Sequence, residues 1–247
     1  ASRGRNMIIV SLKNEGLPEL ASKMKRTFGV DVIAWETDLS KASCVDEFAG
    51  WVNSHYAVDV LVNNAGIGGT ADFFETPFER MDTIIQLNIR AVSQLIKLLS
   101  PNLSRQGNGY ILNIASMASF CPIPLKTVYP ASKVFVYFFS RSLYHELKRK
   151  NIHISVLHPG PMKTNPEVSR NIDFQGIVGK MGLLPTDKLA KLSFDGLFRK
   201  KQVIVPGFLN KVTWVLMKII PVSLQLYLGD AITRREIEWE KTLSVSS

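Results

Sequence analysis

Cysteine and histidine are scarce in this sequence, which contains two cysteines and four histidines among 247 residues. Cys44 and Cys121 are too few for a disulfide framework and indicate free thiols in a reducing compartment. The four histidines are scattered, and no close group of cysteine and histidine has the spacing of metal ligands. The composition therefore predicts a cytoplasmic protein without a metal site.

Long apolar runs are also missing. The strongest candidate is the segment 212–228, but Lys218 and Pro221 interrupt it well short of the roughly 20 apolar residues that a membrane-spanning helix needs. A helix that covers a substrate pocket, or one that lies on a membrane surface, fits this segment better. The sequence thus leaves peripheral contact with a membrane open.

Acidic residues are outnumbered, with 30 lysines and arginines against 21 aspartates and glutamates, for a net charge of +9. The basic residues are spread over predicted helices and turns, as at 23–26 and 148–150, and no nucleic-acid-binding motif accompanies them. A solvated basic surface is the interpretation, with no nucleic-acid partner, although anionic cofactors or acyl carriers would be attracted to such a surface.

Strand-like and helix-like segments alternate along the chain, a pattern typical of βαβ units and a parallel sheet. The predicted strands are residues 7–11, 31–36, 58–62, 110–115, 152–157 and 202–205. The length and the 46% hydrophobic content suffice for one sizeable core. We therefore predict an α/β fold with one domain over residues 1–247, including a substrate lid at 165–200 and a C-terminal helical extension at 207–247.

A long helix is predicted from Thr76 through Leu99. Thr76 would be its N-cap, Pro77 its first residue and Glu79 the acid at the third position, and Pro101 would end it. Apolar residues cover more than one face of this helix and of the segment 134–139 that follows later. Such excess apolar surface is either buried beneath other elements or used for contact between subunits.

Tyr129 and Lys133 carry the strongest chemical signal. In a helix they occupy positions i and i+4, on one face and within reach of each other. A free tyrosine has a pKa of roughly 10, and an adjacent ammonium would lower the pKa of the phenol by favouring the phenolate. The pair is interpreted as a proton donor and the group that tunes it, although a solvated helix face can show the same spacing.

Two predicted strands end where this pair could act. The apolar run 109–115 follows a Gly-Asn-Gly turn signal and predicts a buried strand with Ser116 after its carboxyl end. The strand predicted at 152–157 leads into His158, Pro159 and Gly160. Ligands of open α/β sheets bind beyond the carboxyl ends of the strands, so Ser116 and the Tyr129/Lys133 pair are expected to converge.

Taken in order, these motifs resemble the short-chain dehydrogenase/reductase family over most of residues 1–165. The resemblance rests on Asp38-Leu39 after a strand, Asn63-Asn64-Ala65-Gly66, Asn88 in Leu87-Asn88-Ile89, Ser116 thirteen positions before Tyr129, Tyr129-Pro130-Ala131-Ser132-Lys133, and Pro159-Gly160 with Thr164. It implies a doubly wound, Rossmann-like parallel sheet with helices on both faces.

The resemblance implies a catalytic tetrad of Asn88, Ser116, Tyr129 and Lys133. Hydride would pass from a nicotinamide to the substrate carbon while Tyr129 protonates the developing alkoxide. Ser116 would hydrogen-bond the carbonyl oxygen, and Lys133 would lower the pKa of the tyrosine and hold the nicotinamide ribose. Asn88 would position a water that links Lys133 to solvent, unless it is only an internal polar group satisfied locally.

Cofactor contacts are implied for Tyr129 and Lys133 as well as for a further set of residues: Asp38 at the adenine, Asn64, Ala65 and Gly66 along the adenosine ribose, Thr164 at the carboxamide, and Leu39, Pro159 and Gly160 elsewhere in the same site. The end of the predicted strand 7–11 decides between NAD and NADP. It reads Val-Ser-Leu-Lys-Asn without an acid, and Lys13 could meet a 2′-phosphate. NADP is therefore predicted in preference to NAD.

One family feature is missing, the glycine-rich turn between a first strand and a first helix that cradles the cofactor phosphates. The nearest glycine cluster, residues 66–69, belongs to the Asn-Asn-Ala-Gly motif, and residues 1–10 resemble the end of the family's first helix running into its second strand. We infer that a first βα unit is absent from this sequence. Either the protein has residues before Ala1 that the sequence omits, which we favour, or it is a natural truncation.

The predicted lid is apolar, which favours a hydrophobic carbonyl substrate over a sugar, with core packing as the alternative; its apolar members are Met162, Phe174, Ile177, Val178, Met181, Leu183 and Leu184. Residues 114–147 are most similar to broad-specificity bacterial reductases and to the 3-oxoacyl-CoA reductase and 17β-hydroxysteroid dehydrogenase branch. The resemblance implies NAD(P)-dependent reduction of a 3-oxoacyl, steroid-like or other lipid-like ketone by a homodimer or homotetramer. A genuine truncation would favour a non-catalytic binding or scaffold protein instead.

Overall fold

The computed structural model describes residues 1–163, 166–174, 176 and 182–245. The strands of this part of the chain are β1 (Met7–Ser11), β2 (Val32–Glu36), β3 (Val60–Asn63), β4 (Gly109–Ile114), β5 (Ile152–Leu157) and β6 (Val203–Ile204). All pairings between them are parallel, β1 with β2 in one sheet and β3-β4-β5-β6 in a second sheet. Each predicted strand is present, with boundaries that shift by at most two residues.

The helices are α1 (Leu17–Phe28), α2 (Ala42–His55), α3 (Phe78–Ile85), α4 (Val92–Arg105), α5 (Val128–Lys148), α6 (Pro166–Phe174), α7 (Thr186–Phe198), α8 (Phe208–Ile219) and α9 (Val222–Val245). Side chains of α2, α4 and α5 form one core with β4 and β5. On the other face, Leu197 of α7 packs with Leu112 and Leu157 of the same strands. Helices thus cover both faces of a parallel sheet, which confirms the predicted Rossmann-like α/β fold.

The long helix predicted at 76–99 differs from the prediction in three ways. Thr76 is not its N-cap, because the Thr76 hydroxyl donates to the carbonyl of Asp72 at 2.6 Å and the first helical residue is Phe78. A π-helix, Gln86–Ala91, separates α3 from α4. Pro101 lies inside α4, which continues to Arg105.

The last turn of α4 is held by tertiary contacts, which override the low helix propensity of proline. Asn102 is buried, and its amide donates to the carbonyl of Tyr56 at 2.8 Å while its Oδ1 accepts from the N–H of Val58 at 3.0 Å. Leu103 next to it is fully buried in the core. Packing on the strand side therefore keeps the chain helical beyond Pro101.

A cavity of about 1350 Å³ separates the two sheets. It is lined by residues 7–10 of β1 and 60–63 of β3. Among the described residues there is no hydrogen-bonded pairing between β1 and β3. A further parallel strand placed there would have an edge to pair with on each side. The prediction that a first βα unit is absent from the sequence stays a prediction, and this cavity is the position such a strand would take.

The C-terminal extension consists of α8 and α9, which meet at Pro221. The amide of Gln225 donates to the carbonyls of Met217 and Ile220, at 2.7 Å and 2.8 Å, and so fixes the corner between the two helices. Among the described residues, no helix combines the length and the apolar character needed to cross a membrane.

Candidate active site

Helix α5 places Tyr129 and Lys133 one turn apart, as the sequence predicted. Both side chains are largely buried, and the Lys133 ammonium lies 5.8 Å from the centroid of the Tyr129 ring. The loop after β3 covers the phenol ring, because a Cβ added to Gly68 would lie 2.9 Å from Cδ2 of Tyr129. Glycine at position 68 therefore allows the loop to approach the ring this closely.

Ser116 lies two residues beyond the end of β4 and next to Tyr129. Its side chain is close enough to the phenol to lower the pKa of Tyr129, and its hydroxyl accepts from the backbone N–H of Ala118 at 3.1 Å, which caps the short 3₁₀ helix Met117–Phe120. A residue at the end of β4 and a residue in the first turn of α5 thus converge, as the strand-end argument predicts. The hydroxyl pair can contact one oxygen of a bound carbonyl from two sides.

The direction of the Tyr129 pKa differs from the prediction. Burial raises the pKa of the phenol, and the hydrogen bond from Ser116 offsets this only in part. The prediction assumed that the Lys133 ammonium would dominate, but desolvation of a buried phenolate outweighs it here. Tyr129 is accordingly protonated at neutral pH and can act as a proton donor.

Lys133 is itself strongly affected by burial. Only 6% of its surface is exposed, its Nζ donates to the carbonyl of Ile114 at 3.0 Å, and burial lowers its pKa to about 8. An ammonium has three donors, and a single acceptor among the residues that the structure describes leaves two of them for a bound group. Vicinal hydroxyls of a ribose have the acceptor oxygens that such an arrangement suits.

Asn88 lies in the π-helix and is completely buried. Its Nδ2 donates to the carbonyl of Ile67 at 2.9 Å and to the hydroxyl of Ser132 at 3.0 Å, while its Oδ1 accepts from the Ile67 N–H at 3.0 Å. The side chain therefore joins the loop after β3 to helix α5. These partners are remote in sequence, so the Asn88 amide is satisfied across elements and not within its own helix. The link to solvent through water stays a prediction.

The loop after β3 carries three of the predicted cofactor residues. Asn64, Ala65 and Gly66 are exposed, and Asn64 and Ala65 also line the cavity between the sheets. A Cβ added to Gly66 would lie 3.0 Å from Oδ1 of Asn88 and 3.2 Å from Nζ of Lys133. The absence of a side chain there keeps the backbone within reach of both groups.

Asp38 and Leu39 follow β2. Asp38 accepts from the N–H and the hydroxyl of Ser40, at 2.9 Å and 2.6 Å, and these bonds lower the pKa of its carboxyl. Leu39 is 8% exposed and belongs to the main hydrophobic core, where it also lines the cavity between the sheets. Asp38 thus organises the turn that precedes α2, and Leu39 contributes an apolar wall to the cavity.

Lys13 lies exposed in the turn after β1, but that turn is not free of acidic groups. Oε1 of Glu36, the last residue of β2, accepts from the backbone N–H of Asn14 at 3.3 Å. The preference for NADP was predicted from a turn without an acid, and that premise is wrong. The prediction used only the residues of β1 and its turn, whereas parallel pairing places Glu36 of β2 opposite Ser11.

Pro159 and Gly160 extend beyond the carboxyl end of β5. The carbonyl of Pro159 accepts from the N–H of Met117 at 3.1 Å, and a Cβ on Gly160 would lie 2.5 Å from Oδ1 of Asn210. Glycine thus lets the loop pack against α8. Thr164, predicted at the carboxamide, lies outside the described residues.

His158 was not singled out for its chemistry, yet it supports Ser116. Its ring is fully buried, with ring centroids 4.4 Å from Phe120 and 4.8 Å from Tyr137. Burial lowers its pKa to about 4, so the imidazole is neutral near pH 7 and its Nδ1, 3.0 Å from the Ser116 carbonyl, donates to it. The sequence signal was a histidine placed between a strand and a Pro-Gly pair.

Glu236 of α9 is a second residue that sequence reasoning missed. It is 1% exposed, its carboxylate forms an ion pair with Lys126 at 3.1 Å, and it accepts from the hydroxyl of Thr70 at 2.9 Å. Lys126 precedes Tyr129 by three residues, and Thr70 follows the glycines of the β3 loop. The C-terminal helix is thereby fastened to two loops of the site.

A nicotinamide cofactor fits these residues. The buried Lys133 ammonium donates to the Ile114 carbonyl, which leaves donors for a bound group, and the missing side chain at Gly66 leaves room beside it. A metal has no such support, since the described residues contain no group of three or more histidine, cysteine, aspartate or glutamate side chains that could hold one.

Comparisons with known proteins agree with this geometry. Residues 1–173 match the family model of the short chain dehydrogenases. The chain is 32% identical over 236 residues to the very-long-chain 3-oxoacyl-CoA reductase-A of Danio rerio, covering 93% of this chain and 70% of the relative. A short-chain dehydrogenase from Sphingobium yanoikuyae, solved in complex with NADPH, superimposes with a TM-score of 0.73 at 25% identity, covering 89% of this chain and 88% of that chain.

Some relatives are much longer than this chain. The probable oxidoreductase EphD of Mycobacterium tuberculosis is 28% identical over 241 residues, which is 95% of this chain but 39% of that protein. The match to EphD therefore spans well under half of its length.

Proposed function

This chain belongs to the short-chain dehydrogenase/reductase family, and from that premise we propose that it is an NADPH-dependent reductase of hydrophobic ketones. The observation that carries the proposal is the convergence of three groups: the Ser116 side chain acts on the Tyr129 phenol, and the buried Lys133 ammonium lies one helical turn away. Such a group of residues can bind a carbonyl oxygen, protonate it and stabilise the charge that develops on it.

Tyr129 acts as the general acid. Its phenol is protonated at neutral pH because burial raises its pKa, so it can donate to the substrate oxygen as negative charge develops there. The Ser116 hydroxyl holds the same oxygen, and the Ser116 backbone is fixed by the imidazole of His158. Oriented donors in a buried site need little rearrangement during the reaction, which makes them effective in stabilising the transition state.

Lys133 and the residues around it hold the cofactor. The Lys133 ammonium would bind the ribose hydroxyls next to the nicotinamide, and Asn88 keeps the loop of Gly66 against that ammonium. Bound NADPH supplies the hydride that reduces the carbonyl carbon. Lys133 can also return a proton to Tyr129 after each turnover, because its own pKa of about 8 is close to neutrality.

The preference for hydrophobic ketones rests on the segment between Ser116 and Tyr129. This segment is apolar over most of its length, with Met117, Phe120, Pro122, Ile123, Pro124 and Leu125. Phe174 of α6 stacks on Trp239 of α9, with ring centroids 4.5 Å apart. The Danio rerio relative, a very-long-chain 3-oxoacyl-CoA reductase, supports the same substrate class.

A substrate panel tests the proposal. Full-length protein is incubated with NADPH and either a long-chain 3-oxoacyl-CoA, a steroid ketone or L-sorbose, and NADPH consumption is followed by absorbance. Apolar contact area favours the first two, so their kcat/KM should exceed that of the sugar by at least about tenfold. A preference for the sugar would contradict the hydrophobic site. Binding of NADPH without turnover of any ketone would favour a scaffold protein.

Lys13 is proposed to favour NADPH over NADH by meeting the 2′-phosphate. The Lys13→Ala variant should then lose roughly fivefold to tenfold in NADPH affinity while NADH binding changes little. Glu36→Gln should act in the opposite direction, because it removes a negative charge from the same turn. Titration by nicotinamide fluorescence measures both, with Lys23→Ala on the exposed face of α1 as the control. Equal affinities of the wild type for NADPH and NADH would contradict the assignment.

A homodimer is proposed to form through α5. Most apolar residues predicted on the long helix are buried within the chain, among them Leu95, Ile96 and Leu99. On α5, by contrast, Phe138 is 60% exposed and Phe135 is 36% exposed. These two aromatic side chains form the face that we assign to a second copy.

A further inference from the structure

We propose that α8 is an interfacial helix that inserts its apolar face into the surface of a lipid bilayer. The proposal does not depend on the reaction catalysed at Tyr129. It rests on how α8 distributes its side chains between the protein and the solvent. The first turns of α9 continue the same surface beyond Pro221.

Helix α8 shows the reverse of the pattern expected for the surface of a soluble protein. Phe208, Val212, Val215 and Ile219 recur at positions i, i+4, i+7 and i+11 and form one stripe. Their exposed fractions are 79%, 39%, 49% and 72%. An exposed apolar stripe of this size is informative, whereas single exposed apolar residues are not.

The side of α8 that faces the protein carries a polar residue. Asn210 is 3% exposed, and its Nδ2 donates to the carbonyls of Pro206 and Gly182 at 2.8 Å and 3.0 Å. On this side Trp214 also packs on Phe120, with ring centroids 5.8 Å apart. The helix is therefore anchored by its inner side, and its apolar stripe is not needed to hold it in place.

Charge identifies the partner. Lys211 and Lys218 are the only charged residues in the segment 207–229. They lie seven positions apart, so at 100° per residue both are on one flank of the stripe. The Lys218 ammonium lies 4.0 Å from the centroid of the Trp214 ring, whereas the Lys211 side chain can extend to lipid head groups while the stripe enters the acyl region. A bilayer that contains anionic lipid complements this arrangement.

A second copy of the chain complements it less well. A two-fold dimer would place the same patch on both sides of the interface. Each patch offers lysines and no acid, so the symmetric contact would have no charge partner for them. The surface continues with Leu224, Tyr227 and Leu228, which are 47%, 74% and 49% exposed on α9.

Cosedimentation with vesicles tests the proposal. Full-length protein is mixed with vesicles of phosphatidylcholine that contain 30% phosphatidylserine, and the bound fraction is measured after centrifugation. The Ile219→Glu variant puts a carboxylate at the C-terminal end of the exposed stripe, where the side chain is 72% exposed, and should lower the partition coefficient by about tenfold or more. Lys211→Glu should lower it less, and the effect of Lys211 should shrink as the salt concentration rises.

Phe74→Glu is the matched control, because Phe74 is 94% exposed and lies outside the stripe. This variant should bind vesicles like the wild type, and circular dichroism should show that all variants are folded. Failure of the wild type to sediment with these vesicles would overturn the proposal. A second result would also overturn it. If the wild type is an oligomer in sedimentation velocity, and Ile219→Glu dissociates that oligomer without changing vesicle binding, then a second copy of the chain covers the stripe.

Discussion

Replacing Tyr129 with phenylalanine is expected to lower the rate of ketone reduction by about 10²–10⁴-fold, the range that general acid–base groups contribute. The substitution removes one hydroxyl and keeps the ring that packs under Gly68. It also removes the partner of the Ser116 hydroxyl, so the substrate oxygen loses its proton donor while the remaining donor is less well oriented. The fold should change little, because the ring and its packing are kept, and the variant should still bind NADPH through Lys133 and the other cofactor residues.

Single-turnover measurements with saturating NADPH separate the chemical step from cofactor binding. Tyr144→Phe is the control, since Tyr144 is a half-buried tyrosine farther along α5 that packs against the core. It should reduce ketones at the wild-type rate. If Tyr129→Phe folds normally, binds NADPH and still reduces an accepted ketone at nearly the wild-type rate, Tyr129 is not the acid.

The fold and the convergence of the main site residues could be predicted from sequence because both depend on local periodicity and on the edge at which parallel strands end. Strand periodicity fixed Ser116 at the end of β4, and helical periodicity put Tyr129 and Lys133 on one face of α5. These are relations between near neighbours in the chain. They need no knowledge of which strands pair or how deeply a side chain is buried.

Features that depend on tertiary contacts escaped prediction. The direction of the Tyr129 pKa is set by desolvation, which depends on how the loop of Gly68 covers the ring. The carboxylate of Glu36 reaches the turn after β1 only through strand pairing. Glu236 joins the site from a helix 166 residues beyond its partner Thr70. Spacing along a single element gives no signal for any of these contacts.

The π-helix at Asn88 is a further case. Its residues read as ordinary helix, and the sequence predicted one continuous helix through them. Asn88 is held by the backbone of Ile67 and the hydroxyl of Ser132, so contacts from two other elements accompany the wider turn at that point. π-helical turns are frequent at functional sites, and this one places an amide between the β3 loop and α5.

Replacing Lys133 with methionine is expected to reduce activity and to increase stability at the same time. Burial lowers the pKa of Lys133 from 10.5 to about 8, so the folded protein binds this proton less tightly than the unfolded chain does. Between about pH 8 and 10.5 the unfolded state holds more protons, and the free energy of unfolding of the wild type should rise with pH across that window. Below pH 8 this destabilisation is fully present. It amounts to about 3 kcal/mol, because a pKa difference of one unit corresponds to about 1.4 kcal/mol.

The methionine variant loses this destabilisation but leaves the Ile114 carbonyl without its donor, which costs about 1 kcal/mol. At pH 7 it should therefore be more stable than the wild type by about 2 kcal/mol, and the difference should shrink as the pH rises from 8 toward 10.5. Urea unfolding at several pH values measures this, with Lys148→Met on the exposed end of α5 as the control.

In single turnovers the wild-type rate should fall as the pH rises through about 8, because the Lys133 ammonium is lost. The methionine variant should be slow at every pH and should lack that limb. A variant that reduces ketones at the wild-type rate would show that the ammonium is not needed for the reaction. A variant whose free energy of unfolding runs parallel to that of the wild type would show that burial does not lower the pKa of Lys133.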